Sequence, residues 1–292
     1  MSLPTELGVF DVDNRDDLVD FFHVHGFATL RGLWDPEQLA ELDIACTTAQ
    51  RRLASGDLPS RYVAGELVTH LTEIVPQVRD AVHHPILVEL AKRVLGDCWI
   101  PEGVPGDPFD VVFQDARPGQ GSRSTRIGWH TDWQSAPHLD RWPAMGFSLH
   151  LDGTSPANGF LRVVPGSHRW ATPEAPGGRG HGAVNVGGGV NGGVGGGVNG
   201  GVGGGVSGGP RTGGYTDDPP PSEMPLGFDK VPGEMGVYCS RGDVLFHDAY
   251  LWHASARATA DGAVRRQICG GWYSGAADPS PTTADFLDNA AR

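Results

Sequence analysis

Hydrophobic and polar positions fall into two regimes along the chain. Residues 16–33, DDLVDFFHVHGFATLRGL, read as a short helix running into a strand-like FATLRGL. Asp35 follows as a helix N-cap, with Pro36 at the first helical position and Gln38 at the third, the arrangement of a capping box. Leu39, Leu42, Cys46, Ala49 and Leu53 then recur at steps of three and four, one face of an amphipathic helix. A further helix is predicted from Pro85, with Ile86, Leu87, Leu90, Ala91, Val94 and Leu95 as its apolar face and Gly96 as its stop. Beyond residue 96 the period shortens. PFDVVFQ, RIGWHTDW, MGFSLHLD, FLRVVPGS, GDVLFHDA and RRQICGGWY are short apolar runs between Gly and Pro signals, as expected of a β sandwich or barrel. The chain is therefore expected to form one domain, 1–292, with a helical N-terminal part over 1–96 and a barrel over 97–292.

Composition adds one anomaly. Of 292 residues 44 are glycine, and 15 of these lie in residues 186–209, three near-identical octads with valine at every fourth position. Glycine at that density opposes a helix, so the segment is expected to be an insertion leaving the barrel at a loop, either a tether or a lid. No Gly-Lys-Ser/Thr follows it, so it is not a phosphate cradle.

Charge and cysteines narrow the partners. A net charge of −13 argues against nucleic acid, whose phosphates need a basic face. No run of about 20 apolar residues is present, so no membrane-spanning helix is expected. The start, MSLPTELGVFDVDNRDD, lacks the basic and apolar stretches of a signal peptide. Cys46, Cys98, Cys239 and Cys269 form no C-x-x-C pair. A reduced, cytoplasmic protein acting on a small molecule, as monomer or homodimer, is the expectation.

One constellation carries chemistry. His130-Thr131-Asp132, on a strand, would turn His130 and Asp132 to one face. A histidine 121 residues after Asp132, His253 in GDVLFHDAYLWHAS, would complete two imidazoles and one carboxylate on one side of a metal, the facial triad of non-heme Fe(II) oxygenases. His247 competes with His253 for the third position. Ser255 and Arg265 lie downstream, and arginine binds carboxylates bidentately. Since Arg265 and Arg266 alternate, only one of them points into the barrel. A zinc hydrolase would need a general base beside the metal, and no H-E-x-x-H helix exists.

These stretches resemble the phytanoyl-CoA dioxygenase family of Fe(II)/2-oxoglutarate oxygenases, in a layout similar to ectoine hydroxylases. FFHVHGFATLRGLWDPEQL, HHPILVELAKRVLG, GWHTDW, FSLHLDGTSPANGFLRVVPGSHRW and GDVLFHDAYLWHASARA carry the resemblance in order. It implies a double-stranded β-helix (jelly roll, cupin-like) with the N-terminal helices packed on one sheet. It implies Fe(II), 2-oxoglutarate and O2, with His130, Asp132 and His253 as iron ligands. Ser255 and Arg265 then match the pair holding the distal carboxylate of 2-oxoglutarate. Gln114 matches a glutamine facing the co-substrate or substrate, and Ser148 a residue lining the pocket. Phe113, Trp133 and Trp252 are the aromatic candidates for the substrate pocket. Pro165, Gly166 and His168 match a recurrent turn, which backbone geometry explains.

The implied reaction is hydroxylation of a C–H bond, with 2-oxoglutarate converted to succinate and CO2. A natural-product tailoring role is the expected setting. Desaturation, epimerisation or cyclisation at the same centre is the rival within enzymes, and a non-catalytic metal- or ligand-binding barrel is the rival outside them. Halogenation is disfavoured because Asp132 occupies the position where related halogenases carry a small residue. Two departures count against ectoine itself, the first being that the segment after the H-x-D is shorter and lacks the acidic stretch of ectoine hydroxylase-like sequences. In the second, the arginine expected two residues after the glutamine is replaced by Ala116, with Arg117 one further on.

Overall fold

The computed structural model describes residues 7–64, 67–68, 70–100, 110–116, 128–132, 144–170, 228–256, 258–260 and 263–274. Twelve strands occur among them: β1 Val9–Asp11, β2 Phe27–Arg31, β3 Val63–Ala64, β4 Leu67–Val68, β5 Cys98–Trp99, β6 Asp110–Ala116, β7 Met145–His150, β8 Leu161–Val163, β9 Met235–Val237, β10 Val244–Asp248, β11 His253–Ser255 and β12 Ala263–Ser274. The helices are α1 Arg15–His25, α2 Pro36–Ser55, α3 Leu71–Ile74, α4 Pro76–Val82 and α5 Pro85–Leu95.

The helices start and stop where local chemistry demands. Asp35 accepts from the Glu37 and Gln38 amides at 2.9 Å each, and the Asp35 amide donates to Gln38 Oε1 at 3.0 Å, so the capping box forms. Gly56 ends α2 in the left-handed region at φ +75°, which suits a residue without Cβ. α5 begins with Pro85 and stops at Gly96. The apolar stripe of α2 buries Leu39, Leu42, Cys46 and Ala49, and that of α5 buries Leu87, Leu90, Ala91, Val94 and Leu95.

The strands build a double-stranded β-helix from a large sheet, ordered β1-β2-β10-β7-β12-β6-β4-β3, and a small one, ordered β11-β8-β9. Period-two alternation gives the large sheet two faces. Phe147, Leu149, Val244, Phe246, Ile268 and Trp272 point outward and merge with the helical stripes into the main core. The other face points into the barrel. The first 96 residues are not purely helical, because β1 and β2 extend the large sheet through β2–β10 pairing, Leu245 opposite Thr29. Three-residue strands such as β1 and β9 are too short to show a period, which is why the pattern of hydrophobic positions does not reveal them.

The glycine octads 186–209 lie outside the described residues. Among the described residues, the strands that precede and follow them, β8 and β9, are antiparallel neighbours, Leu161 opposite Val237 and Val163 opposite Met235.

Candidate metal centre

His130 and His253 meet through their backbones. Each amide donates to the other's carbonyl, at 3.0 and 2.9 Å. This isolated antiparallel bridge corrects the expectation of a regular strand at the H-x-D triplet, since residues 128–132 pair at His130 alone. The bridge sets the two rings 4.2 Å apart, centroid to centroid.

Second hydrogen bonds fix which nitrogen faces the centre. His130 Nδ1 lies 2.7 Å from the Gly128 carbonyl, and His253 Nδ1 lies 2.9 Å from the Leu251 carbonyl. A carbonyl only accepts, so each Nδ1 carries the proton and each Nε2 keeps its lone pair. Asp132 Oδ1 stands 3.7 Å from His130 Nε2 and 3.4 Å from His253 Nε2. The three ligand atoms lie within 4.8 Å of one another. Bonds of about 2.1 Å to a first-row divalent ion fit that spacing, and three ligands on one side leave the opposite side open.

His247 lies outside the group of three donors that could hold a metal ion. Its Nε2 lies 2.8 Å from Asp132 Oδ2, so it donates to the oxygen turned away from the other two histidines. Gly146 makes room for it: a Cβ there would come within 2.5 Å of His247 Nε2. Electrostatics follow from this packing. Burial disfavours the charged form of Asp132, but His247 and His253 beside it outweigh that and hold the carboxyl well below the usual range. Burial also disfavours His253 as a cation, and facing Asp132 outweighs it, raising the imidazole. Burial, with His253 alongside, pushes His130 down to about 4, so its imidazole is neutral, the form a metal would require.

Arg265 and Ser255 are both buried. Ser255 follows His253 by two on β11 and is buried. Arg265 is 4% exposed, and burial lowers it to about 10. Its guanidinium lies beside Gly159, where a Cβ would come within 3.0 Å of Arg265 Nη1 and 2.8 Å of the Ala256 carbonyl. The neighbouring Arg266 points outward, bonding Asp152 at 2.7 and 2.8 Å and Asp43 at 2.6 Å. Ser148 lies on the inner face of β7, 3.5 Å from the Cys269 thiol.

The aromatic candidates divide. Trp252 packs with Trp129, Val164, Val231 and Ala254 in a separate apolar cluster. It alternates away from His253, so packing rather than the pocket accounts for it. Trp133 lies outside the described residues. Gln114 and Phe113 sit on β6, with Gln114 opposite Arg265 and Phe113 opposite Arg266, but their side chains lie outside the described residues. The PGSH turn is structural. Gly166 donates to the His25 carbonyl at 2.8 Å, and His168 Nε2 to the His23 carbonyl at 3.2 Å, which ties the turn to the end of α1.

Among the described residues no helix is long and apolar enough to cross a membrane. The sequence profile of the phytanoyl-CoA dioxygenase (PhyH) family matches residues 22–267. The chain is 28% identical over 162 residues to an ectoine dioxygenase of Nocardia farcinica, covering 52% of this chain and 50% of that relative. It thus spans about half the length of the curated relative it matches. Among solved structures, AviO1 from Streptomyces viridochromogenes superposes with a TM-score of 0.54 at 22% identity, over 92% of this chain and 98% of that one. SnoN, a non-heme alpha-ketoglutarate-dependent epimerase from nogalamycin biosynthesis, gives 0.57 at 18% identity, over 94% and 89%. At these identities both are likenesses of fold.

Proposed function

The chain belongs to the phytanoyl-CoA dioxygenase family, and from that membership we propose that it is an Fe(II)- and 2-oxoglutarate-dependent oxygenase hydroxylating a C–H bond of a small molecule. The convergence of two Nε2 lone pairs and one carboxylate oxygen carries the reading. The whole of 1–292 acts as one oxygenase domain, and O2 is the second co-substrate. Overall, substrate, O2 and 2-oxoglutarate give the alcohol, succinate and CO2. When bound, the iron supplies the one-electron chemistry that lets dioxygen attack an unactivated C–H bond.

The chain's own residues do the rest. His130, Asp132 and His253 hold the metal from one side. His247 keeps Asp132 turned so that Oδ1 faces it. Arg265 and Ser255 receive the distal carboxylate of 2-oxoglutarate, for which a buried, obligately charged guanidinium is suited. Inner-face side chains Phe27, Val163, Val237, Leu245 and Leu251 form an apolar cluster inside the barrel, which keeps water from that part of the interior. A metabolite of natural-product biosynthesis is the proposed substrate class, and Ala116 speaks against ectoine.

The test is succinate release and oxygen uptake with Fe(II) and 2-oxoglutarate, against His130→Ala and Asp132→Ala. Both variants should abolish succinate, and turnover retained in either overturns the assignment. Product mass separates hydroxylation, with one added oxygen, from desaturation or cyclisation, with two lost hydrogens, and both from epimerisation, with no change.

A further inference from the structure

His150 is the last residue of β7 and is 3% exposed. Its backbone is satisfied, its amide donating to the Asp243 carbonyl at 2.9 Å and its carbonyl accepting from Gly242 at 2.8 Å. Its side chain is not. Neither Nδ1 nor Nε2 has a hydrogen-bond partner among the described residues. Buried polar groups are almost always paired, so an imidazole with both nitrogens unused points to a missing ligand.

Register shows where that ligand sits. Gly146, Ser148 and His150 alternate onto one face of β7, and the Gly146 position abuts His247, so this face looks toward the metal centre. On β12, His150 stands opposite Gln267, and Arg265 is two residues away on the same face. That diagonal spacing is within reach of long side chains. Arg265 and Asp152 are the charged groups that act on His150; burial first, then Arg265, depress it to about 3, so it is a neutral donor–acceptor.

We propose that His150 donates an N–H to the distal carboxylate of the 2-oxo acid co-substrate, sharing that carboxylate with Arg265 and so helping to select a dicarboxylate. This rests on the reading of the protein as a 2-oxoglutarate oxygenase.

The test is anaerobic titration of the Fe(II) protein, following the visible absorption that appears when a 2-oxo acid chelates the metal. Two probes are used: 2-oxoglutarate, and 2-oxovalerate, which carries a methyl in place of the distal carboxylate. His150→Phe should weaken 2-oxoglutarate by about ten- to a hundredfold and leave 2-oxovalerate unchanged. His150→Gln, which keeps an amide N–H, should recover part of the loss. His150→Leu serves if the larger ring prevents folding. Equal weakening of both probes, or no weakening of either, overturns the role of His150 while the oxygenase reading stands. Failure of the unsubstituted protein to chelate 2-oxoglutarate overturns both.

Discussion

His247 donates to Asp132 Oδ2 at 2.8 Å while Oδ1 of the same carboxylate faces His130 and His253. The carboxylate thereby has one oxygen engaged by His247 and the other turned to the two remaining imidazoles, where a metal could bind. Partners of this kind set ligand orientation, and their loss typically costs about ten- to a hundredfold in metal affinity. His247→Phe should weaken Fe(II) or Mn(II) by that factor, read by titration calorimetry, with the fold retained. Gly146→Ala should act likewise without touching the imidazole, because the added methyl occupies the ring's place. The two losses should be less than additive, since both act through one hydrogen bond.

Gly159 closes the Asn-Gly turn beside Arg265, the residue proposed to hold the distal carboxylate. Asn158 Oδ1 accepts from the Ser155 amide at 2.8 Å, and its Nδ2 donates to the Gly153 and Val264 carbonyls at 2.8 and 3.0 Å. This turn is thus tied to the start of β12. Gly159 at φ +87° closes it against Ala256 and Arg265. Gly159→Ala should cost about 1–2 kcal/mol in backbone strain and displace the guanidinium. The KM for 2-oxoglutarate should rise roughly tenfold with a smaller change in kcat. An unchanged KM would separate Gly159 from the placing of Arg265 and from 2-oxoglutarate binding.

Much of this was legible in the chain because it rests on local chemistry. The capping box at Asp35, the stripes of α2 and α5, and the His130-x-Asp132 spacing are written in short-range pattern, whereas His253, 121 residues further on, is reached only through the family resemblance. The outward turn of Arg266 follows from strand alternation once the face is known, and Asp43 and Asp152 select it. His247 was visible only as a rival ligand. Its bond to Asp132 spans 115 residues, and Gly146, which makes room for it, gives no periodic signal. His150 was likewise hidden inside a strand-like run, where a histidine on an inner face reads as an ordinary core position. Trp252 misled for the opposite reason: nearness in sequence to His253 places it on the other face of a strand.

Arg162 fastens residues 228–234 to Trp129, next to His130. Its guanidinium lies 4.8 Å from the centre of the Trp129 ring, bonds Glu234 through Nε at 3.2 Å, and donates to the Phe228 and Asp229 carbonyls. Trp129 Nε1 donates to Asp229 as well, at 2.7 Å. Arg162→Leu leaves Glu234 and two carbonyls without this donor and should destabilise the fold by on the order of 2–4 kcal/mol. Removing the orphaned charge too, in Arg162→Leu/Glu234→Leu, should recover part of that loss. Thermal unfolding measures both. A double variant as unstable as the single one would show that the unpaired Glu234 charge does not dominate the cost, leaving it with Trp129, the Phe228 and Asp229 carbonyls and the Val231 amide that Glu234 also bonds.

Acid should weaken the fold through His168. Burial, opposed by its bond to the His23 carbonyl, lowers this imidazole to about 4 from an unfolded value of 6.5. Between those values the unfolded chain binds a proton that the folded chain refuses, so stability falls as pH drops from about 6.5 towards 4. The shift corresponds to on the order of 3 kcal/mol across that window. His150, held to about 3, contributes with the same sign. Urea unfolding of the metal-free protein at a series of pH values should therefore show a falling midpoint on acidification. His168→Gln keeps a donor for the His23 carbonyl but does not titrate. It should be less stable at pH 7, because the ring also fills the space against Gly26, yet its dependence on pH should be shallower and still not flat. An unaltered slope in that variant would assign the acid sensitivity to other groups.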